Sequence, residues 1–266
     1  MKIAVIGGSG LVGAKLVSTL RRRGHEVLPA SRQSGVNTLT GEGLSQAIAG
    51  SRVVIDVTNS PTLDGNAVTE FFAASSRNLL AAGQAAHVKH HVVLSVVGTD
   101  RLPGSAYFQA KLMQEDLARC SPIPHTILRS TQFFDFLQRI PEPDTKGTAV
   151  RVSPAFVQPI AADEVAAALA DLALAGPRNS MIEHAGPEIF HLDEIVQEIM
   201  AAAGDTRAVI ADTRARYFGA QLSNDSLTPD EGAILGVTRF DEWLKRHLAL
   251  TSPLLHSGDK ICPLNR

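Results

Sequence analysis

The segment VIGGSGLVGAKLV, residues 5–17, constrains the fold more than any other part of the chain. An apolar run meets three glycines, Gly7, Gly10 and Gly13. A helical pattern follows, with Val12, Leu16 and Leu20 recurring every fourth position. Arg21, Arg22 and Arg23 then collect where a helix C-terminus favours positive charge, and Gly24 can close it with a positive φ. Strand, glycine turn, helix is therefore the predicted opening.

The rest of the first half repeats the alternation. Strand-like runs at Lys2–Ile6, Glu26–Ala30, Val53–Val57, His91–Val96 and His125–Leu128 are separated by helical patterns. These patterns lie at Leu11–Arg23, Leu44–Ala49, Asn66–Ala82 and about Ser105–Arg119. Right-handed βαβ crossovers follow, and with them an α/β fold: a Rossmann-type, doubly wound parallel sheet. From about residue 140 a proline-rich connection, RIPEPDTKGTAVRVSP, leaves that sheet. The expected division is a nucleotide-binding domain over 1–150 and a small C-terminal α/β substrate lobe over 151–266. The boundary is soft, because a strand near Phe156–Ile160 can return to the first domain. A helix is expected from about Asp163, with that residue as its N-cap.

Composition excludes several classes. A net charge of −2 with no basic tract argues against nucleic acid as a partner. Two distant cysteines, Cys120 and Cys262, form no disulfide framework or zinc knuckle and fit a reducing cytoplasm. The opening residues lack a signal peptide, and EVAAALADLALAG is too short and too interrupted to span a bilayer, so no membrane is expected. His87, His90 and His91 cluster without cysteine or carboxylate neighbours, so no metal is expected either.

The glycines sit where a phosphate-binding turn belongs. Gly7 permits the turn, Gly10 lets a diphosphate approach the backbone, and Gly13 lets the helix pack against the sheet. Amides of Ser9, Gly10, Leu11, Val12 and Gly13 would face the ligand, with the helix dipole adding positive charge. At the tip of the second strand stand Ser31 and Arg32, with no carboxylate to receive a ribose 2′-hydroxyl. A hydroxyl and a guanidinium there suit a 2′-phosphate, so NADP(H) is favoured over NAD(H). Thr58, Asn59 and Ser60 end the third strand over the crevice and are candidates for ribose or diphosphate contact.

Tyr107 and Lys111 lie four apart on a predicted helix, and Ser95 ends the strand before it. Serine can polarise a carbonyl, tyrosine can protonate it, and lysine can lower the tyrosine pKa or hold the nicotinamide ribose. Ala110, Met113 and Leu117 are read as the buried stripe of that helix. Phe133 or Phe134 in QFFDF is a candidate wall of the substrate pocket.

These features together, Gly7/Gly10/Gly13, LSVVGTD, YFQAK and QPIAADEVAAALAD at 158–171, resemble an atypical short-chain dehydrogenase/reductase of the NmrA-like NAD(P)-binding group over roughly residues 1–190. The resemblance implies a Rossmann fold with a small substrate domain. It also implies one of two activities. One is NADPH-dependent reduction of a small carbonyl or quinone-like substrate. The other is non-catalytic NADP(H) binding by a redox sensor or regulator that acts through a protein partner. Members of the group often keep the lysine and lose the tyrosine; this chain has both, which favours the reductase. The oligomeric state is left open.

Overall fold

The computed structural model describes residues 1–63, 65–140 and 149–251. Cys262 and part of the proline-rich connection lie outside the described residues. The first half runs β1 (Lys2–Ile6), α1 (Leu11–Arg22), β2 (Glu26–Ala30), α2 (Leu44–Ile48), β3 (Val53–Asp56), α3 (Gly65–Ala85), β4 (His90–Val96), α4 (Ala106–Cys120), β5 (His125–Ser130) and α5 (Phe134–Leu137). It continues through β6 (Ala149–Val152), β7 (Phe156–Val157), α6 (Ala162–Ala175), β8 (Ser180–Ala185), β9 (Phe190–His191) and α7 (Leu192–Ala202). The last elements are β10 (Ala208–Ala211), β11 (Arg216–Tyr217), β12 (Ala220–Gln221), β13 (Ile234–Leu235) and α8 (Phe240–Thr251).

Seven strands form one sheet in the order β13-β8-β5-β4-β3-β1-β2, and every pairing in it is parallel. Helices cover both faces, which is why β3 and β5 are buried at every residue. Val5, Ile55 and Leu128 point to α1 and α6, whereas Ala4, Ile6 and Val54 point to α2 and α3. Leu16 and Leu20 on α1 are fully buried, each stabilising the fold by roughly 1.5–3 kcal/mol over exposure. From β1 the chain winds outward to β2, then returns to place β3 on β1's other side. The carboxyl ends of β1 and β3 therefore open a crevice at the switch point.

Position 150 does not divide the molecule. α6 packs on α1 beneath the crevice, and β8 and β13 extend the sheet itself, so residues from both halves build one layer. The segment at 156–160 adds no strand to the sheet, yet its end does return to the first domain: Phe156–Val157 pairs antiparallel with β9, while Ile160 bridges Phe133 beyond β5 and is buried in the core with Val5, Leu16 and Leu128. Asp163 does not cap α6. Ala161 holds the N-cap position, and the Asp163 carboxylate, inside the first turn, pairs with Lys15 at 2.8 Å. A second core, around Phe134, Leu137, Val150, Ile195, Tyr217 and Trp243, unites β6, β10, α7, α8 and the β11–β12 hairpin over the crevice. Among the described residues no helix is long and apolar enough to cross a membrane.

Candidate functional site

The turn after β1 is set by backbone contact. Gly7 takes φ +86° and donates its N–H to Ala30 O at 2.8 Å. Gly10 donates to Gly7 O at 3.0 Å and opens α1 without any side-chain cap. A β-carbon on Gly13 would lie 2.1 Å from Gly7 O, so only glycine lets helix and turn close on each other. A β-carbon on Gly10 would meet only Gly7 O, at 3.3 Å, because the space beyond it is open. The amides of Leu11, Val12 and Gly13 have no acceptor within the helix. They end at the switch-point crevice, where partial positive charge suits a diphosphate. The residues present therefore fit a dinucleotide.

Beyond β2, Arg32–Ser34 forms a short 3-10 turn, stapled by Ser31 N–H donating to Ser34 Oγ and by Ser34 Oγ donating to Ser31 O, both at 2.9 Å. Arg32 is exposed, and no described side chain pairs with its guanidinium. A cavity of about 600 Å³ lies along this turn, lined by Gly8, Ser9, Ser31, Gln33 and Ser34, with Arg21 and Arg22 also on its wall. Across the crevice the three polar residues after β3 are partly occupied with their own loop. Thr58 donates from both N–H and Oγ1 to Asp56 Oδ1, at 2.9 and 2.7 Å. Asn59 Oδ1 accepts from Ser60 N, and Ser60 Oγ from Thr62 N.

α4 departs furthest from the sequence expectation. The face it lays on the sheet is Phe108, Lys111, Gln114, Glu115 and Ala118, while Met113 and Leu117 are only half-buried. The reason lies opposite: Asp56, Ser95 and Arg129, near the carboxyl ends of three adjacent strands, are buried and need polar partners. Ser95 Oγ donates to Glu115 Oε1 at 2.6 Å, and Arg129 grips the same carboxylate with two bonds, at 2.8 and 2.9 Å. Burial pushes the Glu115 carboxyl up, but the Arg129 and Ser95 hydrogen bonds outweigh it and hold the pKa below the usual range.

Lys111 is equally enclosed. Its ammonium donates to Leu94 O at 2.8 Å and to Gln114 Oε1, and lies 4.8 Å from the Phe72 ring centre. Gln114 Nε2 passes the contact on to Asp56 Oδ2 at 2.9 Å. Burial pushes the lysine down to about 8, against the pull of Asp56 and Glu115. Tyr107 is packed instead among Phe72, Phe108 and Phe218, and burial pushes its phenol up to about 12. No described residue hydrogen-bonds its hydroxyl. The structure thus places Ser95 on β4 and Lys111 on the inner face of α4 in one polar layer, and Tyr107 in an aromatic cluster beside it.

Of the two phenylalanines, Phe134 is not a pocket wall. It is fully buried and stacks on Trp243 at 5.2 Å in the second core. Phe133, half-buried, sits at the carboxyl end of β5, bridged to Ile160. Sequence reasoning missed Gln132 beside it, which is 5% exposed with neither amide atom partnered. It also missed Phe136, Tyr217 and Phe218, whose rings meet Tyr107 or each other. Phe136 stands in the same QFFDF stretch, and the signal for Tyr217 and Phe218 was the aromatic pair before glycine in RYFGA, within a stretch lacking clear periodicity.

A parallel sheet with an uncapped glycine turn at its switch point defines a Rossmann-type nucleotide-binding protein. The chain belongs to the NAD(P)H-binding family, which matches residues 7–175. It is 24% identical over 151 residues to the photosystem II assembly factor Ycf39 of Cyanophora paradoxa, an alignment covering 52% of this chain and 47% of that protein. It is 38% identical over 112 residues to a 3-beta-hydroxysteroid dehydrogenase of Mycolicibacterium neoaurum, covering 34% and 31%. The chain thus spans less than half the length of these curated relatives. Among solved structures, MoeE5 in complex with UDP-glucose and NAD superposes with a TM-score of 0.70 at 18% identity, over 94% of this chain and 98% of that one. The NADPH-dependent quinone oxidoreductase QOR2 of Escherichia coli superposes with a TM-score of 0.65 at 16% identity, over 92% and 99%. These likenesses establish the fold.

Proposed function

We propose that the chain is an NADP(H)-dependent oxidoreductase that reduces a small carbonyl or quinone-like substrate. The observation that carries this reading is the open, uncapped start of α1 at the switch point, followed after β2 by an exposed Arg32 that no described side chain pairs. Leu11, Val12 and Gly13 amides would hold the diphosphate, and Ser9, Ser31 and Arg32 the 2′-phosphate. Thr58, Asn59 and Ser60 would border the ribose across the crevice. Nicotinamide, when bound, supplies a hydride.

The protein's part is then to bind, orient and give a proton. Tyr107 is the proposed acid: with its pKa at about 12 it keeps its proton throughout the neutral range. Lys111 fixes α4 through Leu94 O and so positions Tyr107, one turn earlier on the same helix. Ser95, whose hydroxyl is given to Glu115, supports the helix and does not polarise substrate. Purified protein, NADPH and a panel of quinones and aldehydes test the reading. Acceptor-dependent NADPH oxidation is expected, with kcat falling roughly 10²–10⁴-fold in Tyr107→Phe. No turnover, or turnover indifferent to Tyr107→Phe, would count against it.

A second reading draws on the inward commitment of Ser95 and Lys111 and on the assembly-factor relative: a dinucleotide-binding regulator acting through a protein partner. It requires tight NADP(H) binding without oxidation and a partner retained in one redox state only. Full biological effect in Tyr107→Phe would favour it over the enzyme.

A further inference from the structure

Phe218 occupies a position its backbone does not favour. It takes φ +49° and Gly219 takes φ +85° at the two-residue turn between β11 and β12, whose residues pair Arg216 with Gln221 and Tyr217 with Ala220. Such a turn demands positive φ at both central positions and selects asparagine, aspartate or glycine at the first. A bulky aromatic there is an outlier that the ring, not the turn, must explain. The ring lies between two others. It stacks on Tyr107 at 5.0 Å and 25°, and on Phe136 at 5.5 Å and 21°. Phe108 and Tyr217 close the sides edge-on, at 6.0 and 4.8 Å. Gly219 is exposed and Phe218 only half-buried, so the ring has a way out toward solvent. Arg216 Nη1 donates to Gly219 O at 2.8 Å and keeps the turn closed whichever way the Phe218 ring points.

We propose that the gap between Tyr107 and Phe136 is a receiving slot for a flat unsaturated ring, and that Phe218 fills it until such a ring arrives. The slot is walled by π-faces at stacking separation and by ring edges, a shape that takes a planar ring and gives an aliphatic chain nothing equivalent. Leaving it costs Phe218 its ring contacts but leaves the closed turn as it is, because the Arg216 bond to Gly219 O does not involve the ring. A ring that enters stacks against Tyr107, the residue proposed as acid, whose hydroxyl has no described hydrogen-bond partner. The substrate class deepens accordingly, from any small carbonyl to a quinone or aryl carbonyl. This step rests on the oxidoreductase reading, but the slot itself can be tested without turnover.

Calorimetric titration of the full chain with 2-naphthol, flat and redox-inert, and with cyclohexanol, which is neither flat nor unsaturated, is the test. Phe218→Asn removes the plug and installs a residue the turn prefers, so the turn should stay formed, with a lowered melting temperature from the lost ring contacts. Its affinity for 2-naphthol should rise roughly tenfold, as expected when a slot open a tenth of the time becomes permanently open. Phe218→Gly should behave likewise, and Phe218→Tyr, which keeps the plug, should bind as wild type does. Cyclohexanol affinity should not move. Naphthol binding that is unchanged or weaker in both plug-free variants, or that shifts equally for cyclohexanol, overturns the proposal. Failure of wild type to bind NADP(H) would instead overturn the oxidoreductase reading and leave the slot measurement standing.

Discussion

Arg129 holds Glu115 through two hydrogen bonds, Nε to Oε1 at 2.8 Å and Nη2 to Oε2 at 2.9 Å, with both side chains at most 3% exposed. The pair joins β5 to α4, and Ser95, Thr99 and Arg119 also bond the carboxylate. Removing Glu115 takes two of the three carboxylate bonds from buried Arg129, leaving only the half-exposed Asp100 at 2.9 Å. Glu115→Ala should therefore lower stability by about 3–5 kcal/mol in urea denaturation. Replacing both, as Glu115→Leu with Arg129→Met, should cost less than the single change, the remaining loss being the Ser95 and Thr99 hydroxyls left without their carboxylate. A single substitution that costs under about 1 kcal/mol would show that the pair does not anchor α4.

Gly10 and Gly13 separate fold from binding. Alanine at Gly13 overlaps the Gly7 carbonyl, a backbone atom that cannot rotate away. A loss of about 1–3 kcal/mol or more is expected, with a lowered melting temperature. Alanine at Gly10 meets only Gly7 O, at 3.3 Å, a tight contact eased by a small shift of the turn, so it should lower the melting temperature far less than alanine at Gly13. It should still weaken NADPH binding roughly ten- to hundredfold, because a methyl group would stand where the diphosphate reaches the amides. If Gly10→Ala binds NADPH as wild type does, the diphosphate lies elsewhere.

The sheet was legible because both of its signals are local. Apolar runs give strands, and the pattern of Val12, Leu16 and Leu20 gives a helix with a buried stripe, which is how α1 packs. α4 shows where that logic ends. Phe108, Lys111, Glu115 and Ala118 have the spacing of a buried stripe, but two of them are charged, so apolar periodicity does not reveal it. Their burial follows from partners, Ser95 and Arg129, that come from other strands and are invisible to a window of the sequence. The aromatic slot was hidden for the same reason, since Tyr107, Phe136 and Phe218 meet only after the chain has folded back twice.

Arg32 should decide between the two dinucleotides. A guanidinium with no described partner, beside the hydroxyls of Ser31 and Ser34, suits a phosphate dianion more than a ribose hydroxyl. Arg32→Asp replaces attraction with repulsion and adds an acceptor for a 2′-hydroxyl. NADPH affinity should fall roughly ten- to hundredfold while NADH affinity holds or rises. Thermal-shift titration with each nucleotide reads both. An unchanged NADPH-to-NADH ratio would remove Arg32 from the site.

His90 and His91 make stability depend on mild acid. They open β4 at 2% and 4% exposure, and burial is the main force that drives each down to about 4 from an ordinary value of 6.5, with neighbouring histidines adding repulsion. Asp56 pulls His91 back up without restoring it. The folded chain thus binds these protons less readily than the unfolded chain, so stability climbs with pH between about 4 and 6.5. It is lost as pH falls from 6.5 through 4, by up to about 3 kcal/mol for each ring. Other groups titrate nearby, so the decisive comparison is with the His90→Asn, His91→Asn double variant. Its denaturation midpoint should fall less steeply than that of wild type across this range. Parallel curves for the two proteins would mean that neither ring is kept neutral by the fold.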